Sequence, residues 1–217
     1  ELRLHSGTVN ATCEQYAKSR TQFKRPFLRY RGRRNLGWIP LKGRDLKREG
    51  NAFRFHSKTF KVFYSRPLPD GKIKDGTNFS QDAKGNWYLN IVIEIADATL
   101  RSIKSGVGID LGLDTFATLS TGEKIDNPRH FRRLEDRLAK AQRAKKKRLA
   151  RNIHIKIKNT RADFLHKESS RIVKAFDYIA VGNVNSKKLA KTKMAKSVLD
   201  VSWSSFRDML TYKAITQ

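Results

Sequence analysis

Asp110 is the side chain in this sequence best placed to do chemistry. It lies in Gly106-Val107-Gly108-Ile109-Asp110-Leu111-Gly112-Leu113-Asp114-Thr115-Phe116-Ala117-Thr118-Leu119, a lone carboxylate in an apolar run bounded by glycines. Short apolar and β-branched residues around one Asp predict a buried strand. A carboxylate buried there is costly unless it is paired or coordinates a cation, so its type and place suit a Mg²⁺ ligand on a rigid element. The blander reading is a strand Asp satisfied by backbone donors. Gly112-Leu113-Asp114 is turn-like and the apolar pattern resumes at Thr115. The element that must position Asp110 is therefore a hairpin, with a return strand over about Thr115 to Leu119.

The rest of the chain says what such a carboxylate would act on. Its 217 residues hold 47 Lys and Arg against 20 Asp and Glu, a net charge of +27. Such a surface gains affinity for nucleic acid by releasing condensed counterions. No 18-residue apolar run and no signal-like start are present, so membrane spanning and secretion are not expected. A single cysteine, Cys13, excludes an intrachain disulfide framework and a multi-cysteine zinc ribbon within these residues. The five histidines are scattered. A cytoplasmic nucleic-acid binder is the expectation. The chain starts at Glu1 without Met and stops at Gln217 inside what reads as a helix, Trp203 to Ala214, so the expectation is either a trimmed protein or a part of a longer chain.

Between Lys18 and Arg34 stand eight Lys or Arg and no acid, interleaved with Phe23, Phe27 and Tyr30. Basic residues among aromatics suit a phosphate backbone with stacked bases, or a solvated face anchored to the next domain. From Leu36 to Asp97 the period is two. Phe53 and Phe55 alternate with Arg54 and His56, Phe60, Val62 and Tyr64 follow, and Leu89, Ile91, Ile93 and Ile95 predict one clean strand. Turn signals at Asp70-Gly71, Asp75-Gly76 and Gly85-Asn86 separate the runs. Together these predict a small antiparallel β-barrel. After the Asp110 hairpin, Asn127-Pro128 predicts the start of a long helix with Phe131, Leu134, Leu138 and Ala141 on one stripe. Eleven Lys or Arg lie between Arg129 and Arg151, against Glu135 and Asp136. So much like charge points to a polyanionic partner. A second helix over about Ile157 to Phe176, a strand from Tyr178 to Val184 and a helix from Trp203 complete an α/β order.

The string around Asp110 resembles the opening of two fold groups, the actin-like ATPases and the RNase H/RuvC nucleases. Gly112-Leu113-Asp114 stands where the ATPases have Gly-Thr-Thr, which favours the nucleases. Further along, Asn127-Pro128-Arg129, the run Asn159-Thr160-Arg161-Ala162-Asp163-Phe164-Leu165-His166-Lys167, and the stretch from Tyr178 through Lys191 to Trp203 make the chain resemble TnpB. That family comprises transposon-associated RNA-guided DNA nucleases related to type V CRISPR effectors. The resemblance implies a fold of α/β plus β class: residues 1–35 as the end of a basic helical recognition region, 36–100 as a wedge-like β-barrel, and 101–217 as an incomplete RuvC/RNase H-like domain with long basic helices. It implies guide RNA and target double-stranded DNA as partners, with base pairing supplying most of the specificity. It also implies Mg²⁺-dependent cleavage at a two-metal site, with Asp110 as the first catalytic and metal-binding aspartate. Arg129, Arg132, Arg133, Lys140 and Arg143 are then expected on the guide–target duplex. Arg25, Arg29, Arg31, Arg33 and Arg34 are expected on guide RNA or the adjacent duplex.

One departure stands out. The family's usual Glu after the Ile-x-Val strand is Gly182 here, and glycine has no side chain to offer a metal. A branch with Val-Gly is thought to take that Glu from a later strand. The resemblance places that Glu, the third aspartate and a four-cysteine zinc ribbon beyond Gln217, so zinc is expected only there. Asp114, Asp177 and Asp200 are local candidates for substitute ligands. The alternatives are a guided DNA-binding protein that does not cut, repressor-like, and a DNA-binding transposition factor without guide RNA.

Overall fold

The computed structural model of the protein describes residues 4–28, 32, 35–64, 67–95, 102–184, 189 and 191–215. The chain forms two compact units, Glu1–Asp97 and Ala98–Gln217.

The first unit opens with α1 (Ser6–Phe23), on which only Gly7 is buried. The Asp45 carboxylate occupies the space that a side chain on Gly7 would need. Strands β2 (Leu46–Glu49), β3 (Ala52–Phe55) and β4 (Lys58–Lys61) form an antiparallel meander. Its Phe53 is fully buried in a cluster with Leu41 and Leu46. A second sheet has the order β1 (Trp38–Pro40), β6 (Asn78–Gln81), β7 (Trp87–Asn90). A two-stranded piece joins β5 (Lys72–Ile73) to β8 (Ile93–Glu94).

The barrel expected from the period-two pattern is not there: the described residues make small separate sheets and no closed barrel. The expected strand through Leu89 and Ile95 is also broken, at Ile91-Val92. Thr77 explains the break. Fully buried, it bonds through Oγ1 to Lys74 O at 2.9 Å and accepts Val92 N–H at 3.1 Å. Val92 O in turn accepts Lys74 N–H at 2.9 Å. With both polar groups of Val92 engaged in this way, the ladder to β6 stops at Asn90, and the chain takes β5 as its next partner.

The second unit holds a four-stranded sheet in the order β11 (Lys124–Asp126), β10 (Thr115–Leu119), β9 (Gly106–Leu111), β12 (Tyr178–Val181). β9, β10 and β11 are antiparallel, and β12 returns parallel to β9. A parallel return requires a long crossover. Here it runs through α2 (Glu135–Arg143) and α3 (Lys147–Ala175). The helices α4 (Ala195–Val201) and α5 (Trp203–Ile215) follow.

One core joins the apolar residues of the sheet to Leu165, Ile172 and Val173 of α3 and to Trp203, Phe206 and Leu210 of α5. Phe116 is its centre, meeting Phe164 and Phe206 edge-on with ring centroids 5.0 and 4.9 Å away. Edge-on aromatic pairs of this kind add to the burial energy. Leu138, Ala141, Ile153 and Ile157 form a smaller core between α2 and the start of α3.

Two helix boundaries differ from expectation. α2 starts at Glu135, after a single 3₁₀ turn at Arg132–Leu134. Asn127-Pro128-Arg129 is instead a tight turn, in which Asn127 Oδ1 accepts Arg129 N–H at 3.0 Å and Arg129 has φ +49°. α3 begins ten residues ahead of Ile157, at Lys147. Its first turns are so basic that the buried apolar residues there are Ile153 and Ile157, with Leu149 and Ala150 partly buried beside them, which leaves the periodicity weak at that end.

Candidate active site and nucleic-acid interface

The alternation of β9 decides where Asp110 points. Val107, Ile109 and Leu111 are buried, whereas Gly106, Gly108 and Asp110 are not. Asp110 is exposed, which corrects the expectation of a buried carboxylate. Its neighbours in sequence supply the apolar pattern, but its own side chain lies on the face of the sheet away from the core. Thr118 is its partner on β10. On the other side Ala180 pairs with Gly108, and a β-carbon on Gly182 would stand 3.6 Å from Asp110 Oδ1. Among the described residues, the immediate neighbours of Asp110 on this face are thus small. Among the described residues no hydrogen bond or ion pair engages the Asp110 carboxylate.

The three candidate substitute ligands are all employed elsewhere. Asp114 pairs with Arg129 at 3.2 Å. Asp177 accepts the backbone N–H groups of Lys104 and Ser105, each at 3.1 Å, and so ties the start of β12 to the start of β9. The Lys104 N–H, then the Ser105 hydroxyl, hold the Asp177 carboxyl below its ordinary range. Asp200 is buried and takes Phe131 N–H with its two oxygens at 3.0 and 2.9 Å. No cluster of three or more His, Cys, Asp or Glu with metal-binding geometry exists among the described residues. Mg²⁺ is held by several oxygens in near-octahedral array. The described residues therefore do not by themselves make a Mg²⁺ site.

The expected basic contacts fall into distinct settings. Arg133, Lys140 and Arg143 are exposed and have no ion-pair partner among the described residues. Arg132 is bound to Glu135 at 2.9 Å, and Lys196 joins the same carboxylate at 3.1 Å. The hydrogen bond from Lys196, followed by that from Arg132, keeps the Glu135 carboxyl below its usual range. Arg129 and Arg132 line one cleft of about 500 Å³ with Asn127, Phe131, Lys196 and Asp200. Lys145 and Lys146 in the turn between α2 and α3, and Lys147 and Arg148 at the start of α3, are exposed as well. These were visible in the charge run, but only the helix break puts them at one end.

In the first unit, Arg25 is exposed just beyond the left-handed cap at Lys24. Arg29, Arg31, Arg33 and Arg34, with Tyr30, lie outside the described residues. Among the described residues no helix is long and apolar enough to cross a membrane.

Comparison with known proteins defines the class. Residues 90–193 match the OrfB_IS605 family model, described as "Probable transposase". A Streptomyces pristinaespiralis protein named "Putative RNA-guided DNA endonuclease" is 37% identical over 165 residues, which cover 70% of this chain and 41% of that protein. An Escherichia coli K12 protein with the same name and the suffix InsQ is 28% identical over 160 residues, 60% of this chain and 40% of that one. The chain thus spans about two fifths of the length of these relatives. It belongs to the TnpB family of transposon-encoded proteins.

Proposed function

We propose that this chain is part of an RNA-guided DNA endonuclease of a transposon, with its second unit contributing to a RuvC-like nuclease fold. The observation that carries the reading is Asp110: a carboxylate on the central strand, exposed and unengaged among the described residues, on a face cleared by Gly108, Ala180 and Gly182. A structural aspartate would be expected to have donors, as Asp177 and Asp200 do. The net charge of +27 and the unpaired cations of α2 supply the electrostatic attraction that a guide–target duplex requires. Phosphate contacts of this kind set register, and the guide sets sequence. Mg²⁺ is the proposed cofactor of the whole protein, and Asp110 the ligand this segment brings to it.

Gly182 favours a second reading, a guided DNA-binding protein that does not cut. The position beside Asp110 that could hold another carboxylate has no side chain. The two readings separate on guide-matched duplex DNA with the full-length protein, its co-purified RNA and Mg²⁺. Cutting that Asp110→Ala abolishes supports the nuclease. Guide-dependent binding without cutting supports the silent binder. Sequence-specific binding to DNA with no RNA present would contradict both, because charge alone gives only non-specific binding.

A further inference from the structure

We propose that Asn127 is the positioning residue for Asp110, an inference that rests on the nuclease reading above. Asp110 stands where its strand loses a neighbour. β12 is laddered to β9 only as far as the pair Val181–Ile109, closed by Gly182 N–H on Ile109 O at 2.9 Å. From Asp110 onward, among the described residues, β9 is paired with β10 alone. A strand end held on one side opens more readily than one held on both.

Asn127 ties that end down. Its Nδ2 donates to Leu113 O at 2.6 Å, in the middle of the hairpin turn that follows Asp110. Its Oδ1 accepts Arg129 N–H at 3.0 Å and holds the turn in which Arg129 is left-handed. Behind the turn, buried Asp200 of α4 grips Phe131 N–H. Arg161 of α3 secures the end of α4 through Leu199 O at 2.7 Å and Ser202 Oγ at 3.0 Å. The Asn127 amide links this helical layer to the backbone of the hairpin tip, beside the exposed Arg129–Asp114 side-chain pair at 3.2 Å. The link needs one donor and one acceptor on a short side chain, which Asn has and ionised Asp has not. Catalytic groups must be held to within about half an ångström.

The test compares wild type, Asn127→Asp and Asn127→Ala in the full-length protein loaded with guide RNA. Three quantities are read: single-turnover cleavage at saturating DNA, DNA affinity, and amide hydrogen exchange. Asn127→Asp keeps the acceptor for Arg129 but sets a carboxylate against Leu113 O. Its cleavage rate should fall roughly 10- to 100-fold, the range expected of a misplacement near 1 Å. DNA affinity and exchange in α3 should stay at wild-type values while exchange at Gly112 quickens. Asn127→Ala should do the same or more. Cleavage at the wild-type rate would overturn the proposal, as would a loss that only tracks DNA affinity or a general rise in exchange. If wild type itself cuts no guide-matched DNA, the nuclease reading fails. Exchange at Gly112 still decides whether Asn127 holds the tip, and an unchanged value there would overturn the proposal.

Discussion

Gly182, one residue past the end of β12, lies beside Asp110 of β9, so that a β-carbon on Gly182 would stand 3.6 Å from Asp110 Oδ1. Its nearest approach would be 3.4 Å, to Ile109 O, which is ordinary van der Waals contact. A β-carbon therefore fits at position 182, and a side chain built on it would start beside the carboxylate already present.

Gly182→Glu should fold and acquire affinity for divalent cations. Without metal the two carboxylates repel, which disfavours double ionisation and should lower Tm below wild type. Mg²⁺ or Mn²⁺ should raise the Tm of Gly182→Glu more than that of wild type, by binding the native state. Adding Asp110→Ala should remove that gain. Thermal melts of the three proteins with and without metal check it, and an equal gain after Asp110→Ala would refute the pairing.

The Asp110 hairpin, its return strand and the strand at Tyr178 were legible in the sequence because apolar alternation and glycine turns are local signals. β11 was not, since Lys124–Asp126 contains one apolar residue and is defined by its pairing with β10. The helix start at Glu135 escaped because Pro128 is compatible with a first helical turn, while the bonds that hold it in a tight turn come from Asn127 and from Asp200 far along the chain. The exposure of Asp110 follows from strict alternation, but the apolar residues on both sides masked it. Asn127 carried no signal of its own beyond the helix start read at Asn127-Pro128 and the resemblance that Asn127-Pro128-Arg129 supports. Its partner Leu113 is brought to it by the hairpin.

Asp177 should make the second unit acid-sensitive. Its folded pKa is depressed, chiefly by the Lys104 N–H. The folded state then binds fewer protons than the unfolded state between the two pKa values, and stability rises with pH there. The contribution is complete above the ordinary carboxylate pKa and is lost as pH falls through the depressed folded value. Asp177→Asn should melt below wild type at neutral pH, and the two curves should converge in strong acid. A constant gap at all pH values would contradict the assignment.

Arg133→Ala and Lys140→Ala should each weaken binding of guide–target duplex and flatten its salt dependence by about one unit of slope. Arg132→Ala should do less, because binding phosphate through Arg132 competes with its bond to Glu135. Filter-binding titrations over a range of salt measure all three. An Arg132→Ala slope lower than that of Arg133→Ala would place the duplex on the other side of this helix.

Phe116→Ala should be among the most destabilising core changes. The ring is 1% exposed and contacts Phe164 and Phe206. Removal of a buried aromatic leaves a cavity and costs about 3–5 kcal/mol. Urea unfolding should show a lower midpoint with an unchanged slope; a shift worth less than about 1 kcal/mol would mean that the sheet and helices collapse to fill the space.

The most direct test of the central claim is cleavage and binding of one guide-matched DNA by full-length wild type and Asp110→Ala, each carrying its own guide RNA, in Mg²⁺. Cleavage by wild type alone, with equal guide-dependent affinity in both proteins, is the predicted result. Equal cleavage by both, or loss of binding together with cutting in the variant, would contradict a catalytic Asp110.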